Sequence, residues 1–560
     1  MIKKLNVLRE ILKKFSLITI VSFLLSFISG CNSVVDKDKE QSQFSFGTDS
    51  LSLEQEYQLE STEPRFNNVT EATLFEHVIA MARDLSELEY RPLHESIPTG
   101  LVGLDYEQYR SIRFRPEAAL WRDESLFEVQ LFHPGFIYRE SVQIHLLEEE
   151  KVEALLFDKN LFRYEGTAVS VADMVTPKLG YAGFRLHYPL NDSSVMDEVV
   201  VFLGASYFRL LGQGHVYGLS SRGLAIDVGL DSVEEFPIFR EFWLVKPKPD
   251  ETKMTFYALL DSPSVVGAYR FELKPGLNTV LDVDANLYAR TDVSKIGIAP
   301  LSSMFLYGQN RMPMFDDFRP EIHDSDGLLM YTSTDEWIWR PLSNGPGVKV
   351  TSLRDNTPHG FGLLQRDRSF DNYLDLETNY HRRPSEWVAI GDGDWGSGGV
   401  ELLTFSTDSE FTDNIATYWV PDKPFKAGEV RNYKYHLISF DSRLEIHTLA
   451  HVERTRIGWD ALPGENDPPP NSQRRFIVDF KGGNLKVPST LSLVDGVLKT
   501  STGQVSDLVV QPLPDNKGWR ASFRLVPTGH QPAEMSLYLA LEDQRLSETW
   551  SYIWYPTRVQ

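Results

Sequence analysis

The segment His359–Trp419 gathers Arg366, Arg368, Tyr380, Arg382, Trp387 and Trp395 among glycines and carboxylates, between short apolar runs. The ring faces of Trp and Tyr can cover the CH surface of a sugar, while Arg, Asp and Glu bond its hydroxyls. The mixture suits a carbohydrate-polymer cleft. The same residue types also pack β cores and tie loops together, and composition alone does not choose between the two roles.

Other chemistries lack their minimum parts. The chain has no P-loop, no GxSxG elbow, no HExxH and no CxxC, so nucleotide, serine-hydrolase and zinc chemistry are not indicated. Asp324-Ser325-Asp326-Gly327 and Asp392-Gly393-Asp394 are fragments of calcium loops without the full oxygen spacing, so no metal is expected. Gly212-Gln213-Gly214 lacks the third glycine of a dinucleotide fingerprint and reads as a turn. What is left is carboxylate chemistry. Glycoside hydrolysis or transfer needs one protonated and one ionised carboxyl and no cofactor.

The elements that must position such a site are strands. One helix is expected after Thr70, where Leu74, Val78, Met81 and Leu85 share a face. Beyond it, period-two alternation takes over: Phe127, Val129 and Leu131 lead through His133-Pro134-Gly135 to Val142, Ile144 and Leu146. Short runs such as MTFYALLD, VELLTF and ATYWV follow, punctuated by Gly and Pro as in a sandwich. From about residue 447 the strands become short and regular, with Trp519, Ala521, Phe523 and Leu525 on one face, the pattern of an immunoglobulin-like sandwich. The expected division is a main β domain over 47–440 and a second over 447–560.

The first thirty residues read as an address. Lys3, Lys4, Arg9, Lys13 and Lys14 precede an apolar run from Phe15 to Ile28, and Ser29-Gly30-Cys31 completes a bacterial lipoprotein processing box. Cys31 is the only cysteine of the 560 residues and is the expected lipidation site. Residues 31–46 read as a solvated tether, and Asn32 points to the outer membrane. The expected location is the periplasm, with the membrane engaged only through the lipid. Removal of residues 1–30 takes away five basic residues and Glu10, moving the formal charge from −23 to −27. So acidic a surface argues against nucleic acid and anionic lipid as partners.

Several long motifs carry a family resemblance. YFRLLGQGHVYGLSSRGLAID, YALLDSPSVVGAYRF, EIHDSDGL, EWIWRPL, HGFGLLQRDRSF, RRPSEWV, DNIATYW and LSETWSY resemble the osmoregulated periplasmic glucan biosynthesis proteins G and D, from the helix after Thr70 to the C-terminus. The resemblance implies an all-β fold, with a large N-terminal galactose-mutarotase-like β-sandwich joined to a C-terminal immunoglobulin-like β-sandwich. It also implies action on β-1,2-glucan, as an inverting endo-hydrolase or a transglycosylase, with glucan-synthesis machinery as candidate protein partners. Carried over motif by motif, the general acid is Asp413 of Asp-Asn-Ile and the base is Asp324 of His-Asp-Ser. Glu410 joins them as a candidate: either desolvation or a neighbouring carboxylate such as Glu410 would have to hold Asp413 protonated.

His323, Tyr217 and Arg222 join the six residues of the opening segment as candidate substrate contacts. Two features depart from the family pattern: the lipid anchor, and the region around the acid, where residues 391–396 are longer and Phe411-Thr412 replaces a polar pair. Two other readings stand beside the enzyme. A non-catalytic glucan-binding scaffold would keep the cleft without turnover. A mutarotase-like isomerase rests on fold analogy alone.

Overall fold

The computed structural model describes residues 69–556, apart from 93–96, 311–315, 392, 442, 445, 462, 487–493 and 515–516. The expected signal, Cys31 and the tether lie outside the described residues.

The fold is all-β. Ten strands form one sheet, and its central path runs from Glu128–Phe132 at one edge to Lys349–Asn356 at the other. A fifteen-stranded sheet packs across it. Between them Phe184, Phe202, Phe242, Phe256 and Phe271 interlock, mostly edge to face, at centroid separations such as 5.0 Å for Phe184 and Phe242.

The helix Glu71–Ser86 covers the outer face of the long sheet, with Leu74, Val78 and Ala82 fully buried against Trp243, Tyr257 and Leu259. Met81 and Leu85 pack at its flank, so all four residues of the stripe read from the sequence face this core. This helix explains why Met254–Asp261 does not alternate. Every residue of that strand is buried, because one face meets the core and the other meets the helix.

The edge strand Lys349–Asn356 alternates between half-buried and exposed residues, and Lys349, Arg354 and Asp355 blunt its open side.

The C-terminal part contributes a four-stranded sheet that begins with His451–Trp459. Its other strands do not form a separate sheet. Thr549–Trp554 pairs in parallel with Trp337–Pro341 and so continues the long sheet. The second core accordingly mixes Trp337, Trp339 and Trp387 with Phe476, Trp519, Phe523 and Trp550.

Where strands approach most closely, glycine is required. A Cβ on Gly362 would stand 2.2 Å from the backbone oxygen of Glu386 on the next strand. Gly362→Ala is therefore expected to cost about 2–3 kcal/mol, measured as a shift in the denaturant midpoint at unchanged m.

Candidate active site

The site is organised by the end of the strand Ile296–Ser303 and the residues that follow it. Asp324 donates its N–H to the carbonyl of Met304 at 2.8 Å, and Ser303 Oγ bonds Ser325 Oγ at 2.8 Å. Beside this segment, Asn414 accepts the N–H of Phe305 at 2.8 Å and donates to the carbonyls of Phe305 and Phe405 at 3.1 and 3.0 Å. Asn414 is fully buried, and these bonds fix the turn that carries Asp413. One segment thus holds both motifs, Asp324 and Asp413, which are 89 residues apart in the chain.

Asp413 keeps accessible surface although protein crowds round its carboxyl. Burial pushes its pKa up and Asp324 adds to the rise, while Arg209, Arg222 and Arg383 oppose it. Asp324 is buried and paired with Arg383, whose guanidinium lies 3.9 Å from the centre of the Tyr380 ring.

Glu410 is held by its own partners. Its carboxylate accepts from Tyr380 Oη at 2.6 Å and from Arg319 at 2.9 and 3.3 Å, and the carboxylate that raises Asp413 is Asp324. Arg319 also bonds Asp317 and Asp375, tying three loops together at the rim.

Of the candidate substrate contacts, Arg222 lies beside Asp413. It donates to Ser302 Oγ at 2.9 Å and to Glu234 at 2.7 Å and lies over the Tyr207 ring. Tyr217 bonds Glu198, and Arg185 pairs with the same carboxylate. Arg382 is exposed and ties the 380–383 loop to the carbonyl of Gly214. Arg368 is spent on the backbone oxygens of His381 and Arg383.

Five others have little exposed side-chain surface in this structure. His323 and Tyr380 are enclosed behind the loops, Trp387 belongs to the second core and Trp395 to the first. Arg366 is closed in between Trp339, at 3.6 Å, and Glu548. Composition cannot separate a buried aromatic from a cleft aromatic, because both favour the same residue types. The faint calcium motif is also differently employed: Asp324 faces a guanidinium, and Asp326 accepts the N–H groups of Arg366 and Asp367. Asp392 lies outside the described residues.

Sequence reading missed Arg209, Arg383 and Glu386. For Arg209 a signal existed: in Tyr207–Leu210, Phe208 and Leu210 are core residues, so alternation puts Tyr207 and Arg209 together on the other face. Glu386 had none. It is fully buried and accepts from Ser221 Oγ at 2.7 Å across the two sheets, and burial pushes its pKa up to about 8.

Glu386 therefore keeps a proton in the folded protein that the unfolded chain releases near the usual glutamate value. Stability should rise as pH falls from about 8 towards 5, at roughly 1.4 kcal/mol per pH unit for one proton. Denaturant melts at pH 8 and pH 5.5 check this. Glu386→Gln should flatten the slope by about one proton, and an unchanged slope would assign the dependence elsewhere.

Residues 74–554 match the family model described as "Periplasmic glucan biosynthesis protein, MdoG". The chain is 42% identical over 482 residues to "Glucans biosynthesis protein G" of Shewanella sp. (strain W3-18-1), covering 86% of each chain. It is 42% identical over 479 residues to the protein of the same name from Vibrio cholerae serotype O1 (strain M66-2), covering 85% of this chain and 86% of that one. "Glucans biosynthesis protein G 1" of Shewanella oneidensis is 41% identical over 480 residues.

Proposed function

Because the chain belongs to the MdoG family of periplasmic glucan biosynthesis proteins, we propose that it serves glucan biosynthesis in the periplasm by cleaving or transferring β-1,2-linked glucan. The proposed chemistry is inversion. Asp413 protonates the leaving glycosidic oxygen while Asp324 takes the proton released as water or a sugar hydroxyl attacks the opposite face. The observation that carries the reading is the environment of Asp413: a carboxyl raised by burial and by Asp324, yet still reachable and lined by Arg209, Arg222 and Arg383. An acid must be protonated at working pH, and this environment favours that state.

In this scheme Arg383 holds the Asp324 carboxylate until substrate arrives, and the proton of the attacking water or hydroxyl then reaches Asp324 through a sugar hydroxyl or a water chain. Glu410 acts indirectly, as the anchor of the loop before Asp413. The lipid anchor at Cys31 would place the protein at the periplasmic face of a membrane, beside the synthesis machinery.

One assay tests the reading: purified protein incubated with linear β-1,2-glucan should generate new reducing ends, or rearranged lengths without them if sugar is the acceptor. Saturable binding with neither outcome would favour the second reading, a glucan-presenting scaffold. The observation favouring that alternative is the Arg383 pair, which occupies the carboxylate that has to act as base.

A further inference from the structure

His323 precedes Asp324 and has no accessible surface. The amide of Gln365 donates to the carbonyls of His323 and Tyr380 at 2.9 and 3.3 Å, which turns its oxygen towards His323 Nδ1 at 2.8 Å. On the other side, a Glu321 carboxylate oxygen lies 2.9 Å from Nε2. With Glu321 as a carboxylate, acceptors at both nitrogens are satisfied together by a ring that carries hydrogen on each, the imidazolium. Phe305 stacks on the ring at 5.3 Å and Tyr373 meets it edge-on at 5.3 Å. The titratable groups facing it are Glu321, Asp326 and Tyr373. His323 is also paired in register with Phe305, the residue that Asn414 grips beside Asp413.

We propose that His323 is a positioning residue: a permanently protonated, buried imidazolium that clamps the Asp324 loop to Glu321 and Gln365 and supplies the fixed positive charge facing Glu321 and Asp326. A neutral ring would leave one of its two acceptors without a hydrogen inside the protein, which is costly. Burial opposes the charge, but Glu321 and Asp326 outweigh it and hold the ring above its usual range. The catalytic consequence rests on the glucan-cleaving reading. The charge state does not.

The test has two arms. In the purified protein labelled with 15N-histidine, the His323 signals are identified by their loss in His323→Gln and followed from pH 5 to 8.5. Both nitrogens should keep protonated-ring shifts across the range in which an ordinary histidine loses its charge, near pH 6.5. A neutral-tautomer pattern, or titration near 6.5, would overturn the proposal. Should His323→Gln not fold, Glu321→Gln replaces it: the ring should then lose its charge within the titrated range, and an unaffected ring counts against the clamp.

In the glucan assay, His323→Gln should lower kcat about tenfold or more while KM stays within about twofold, because a misplaced base costs turnover rather than binding. Its pH profile should also gain an inflection above pH 6, since Asp326, already raised to about 6 by burial, loses the cation that holds it down. A wild-type profile in the variant would refute the positioning role. If the unsubstituted protein yields no product, the glucan-cleaving reading falls while the spectra still decide the charge.

Discussion

Asp413→Asn is expected to abolish product formation from β-1,2-glucan, a loss of at least ~10²–10⁴-fold if the residue is the general acid, while the unfolding midpoint moves little. Asparagine keeps the size of the side chain and removes only the transferable proton. The turn itself is held by Asn414 and not by the Asp413 carboxyl. Reducing-end release and product sizing, run beside a denaturant melt, separate the two effects, and unchanged products in the variant would remove Asp413 from the mechanism. The electrostatics add a sharper expectation. Activity that needs a protonated Asp413 falls as pH rises through its folded pKa. Arg209 is the leading charge that pulls this pKa down. Arg209→Gln should therefore let Asp413 keep its proton to higher pH and shift the alkaline limb of the pH–rate profile upward. A downward shift, or none, would show that the limb belongs to another group.

What the sequence disclosed and what it hid follow from the range of the interactions. The helix after Thr70 was legible because four apolar positions at helical spacing are a local pattern, and the strands at Glu128–Phe132 and Gln143–Glu148 were legible from alternation. The site was legible only as motifs. That Asp324 and Asp413 hang from one segment depends on Met304 and Phe305, which no local pattern connects to either. Glu386 meets Ser221 across 165 positions and two sheets, so nothing near it in the chain signals a buried acid. Trp395 sits among Gly, Asp and Ser residues that suggest a loop, and Trp387 follows Arg-Arg-Pro-Ser-Glu, yet both pack in cores, Trp387 against Gly360 and Gly362. The change of strand rhythm after residue 447 was visible. The parallel pairing of Thr549–Trp554 with Trp337–Pro341 was not, because parallel partners need not be near in sequence.

That pairing bears on the largest stability effect expected in the protein. Glu548, just before Thr549–Trp554, is fully buried. It accepts two bonds from Arg366 at 2.6 and 3.0 Å, one from His447 at 3.0 Å and the N–H of Val452 at 2.6 Å. Burial alone would raise its pKa, but Arg366 and His447 outweigh that and hold it far below the usual carboxylate range. Glu548→Gln removes the charge and leaves Arg366, itself 6% exposed, a buried cation without its counter-ion. Breaking a buried pair from one side costs about 3–5 kcal/mol, and a loss below ~1 kcal/mol would show that the pair is solvated. The sign with pH is that of a depressed acid: the contribution is present above about pH 4.5 and is lost as pH falls through the folded value. Replacing both partners, Arg366→Met with Glu548→Leu, should cost less than Glu548→Gln alone, because no uncompensated guanidinium is left behind. The consequence reaches the cleft. The backbone N–H of Arg366 supports Asp326, and Asp326 faces His323 beside Asp324. If Glu548→Gln still folds, its glucan turnover should fall further than its binding, as expected when a C-terminal contact holds an N-terminal base in place.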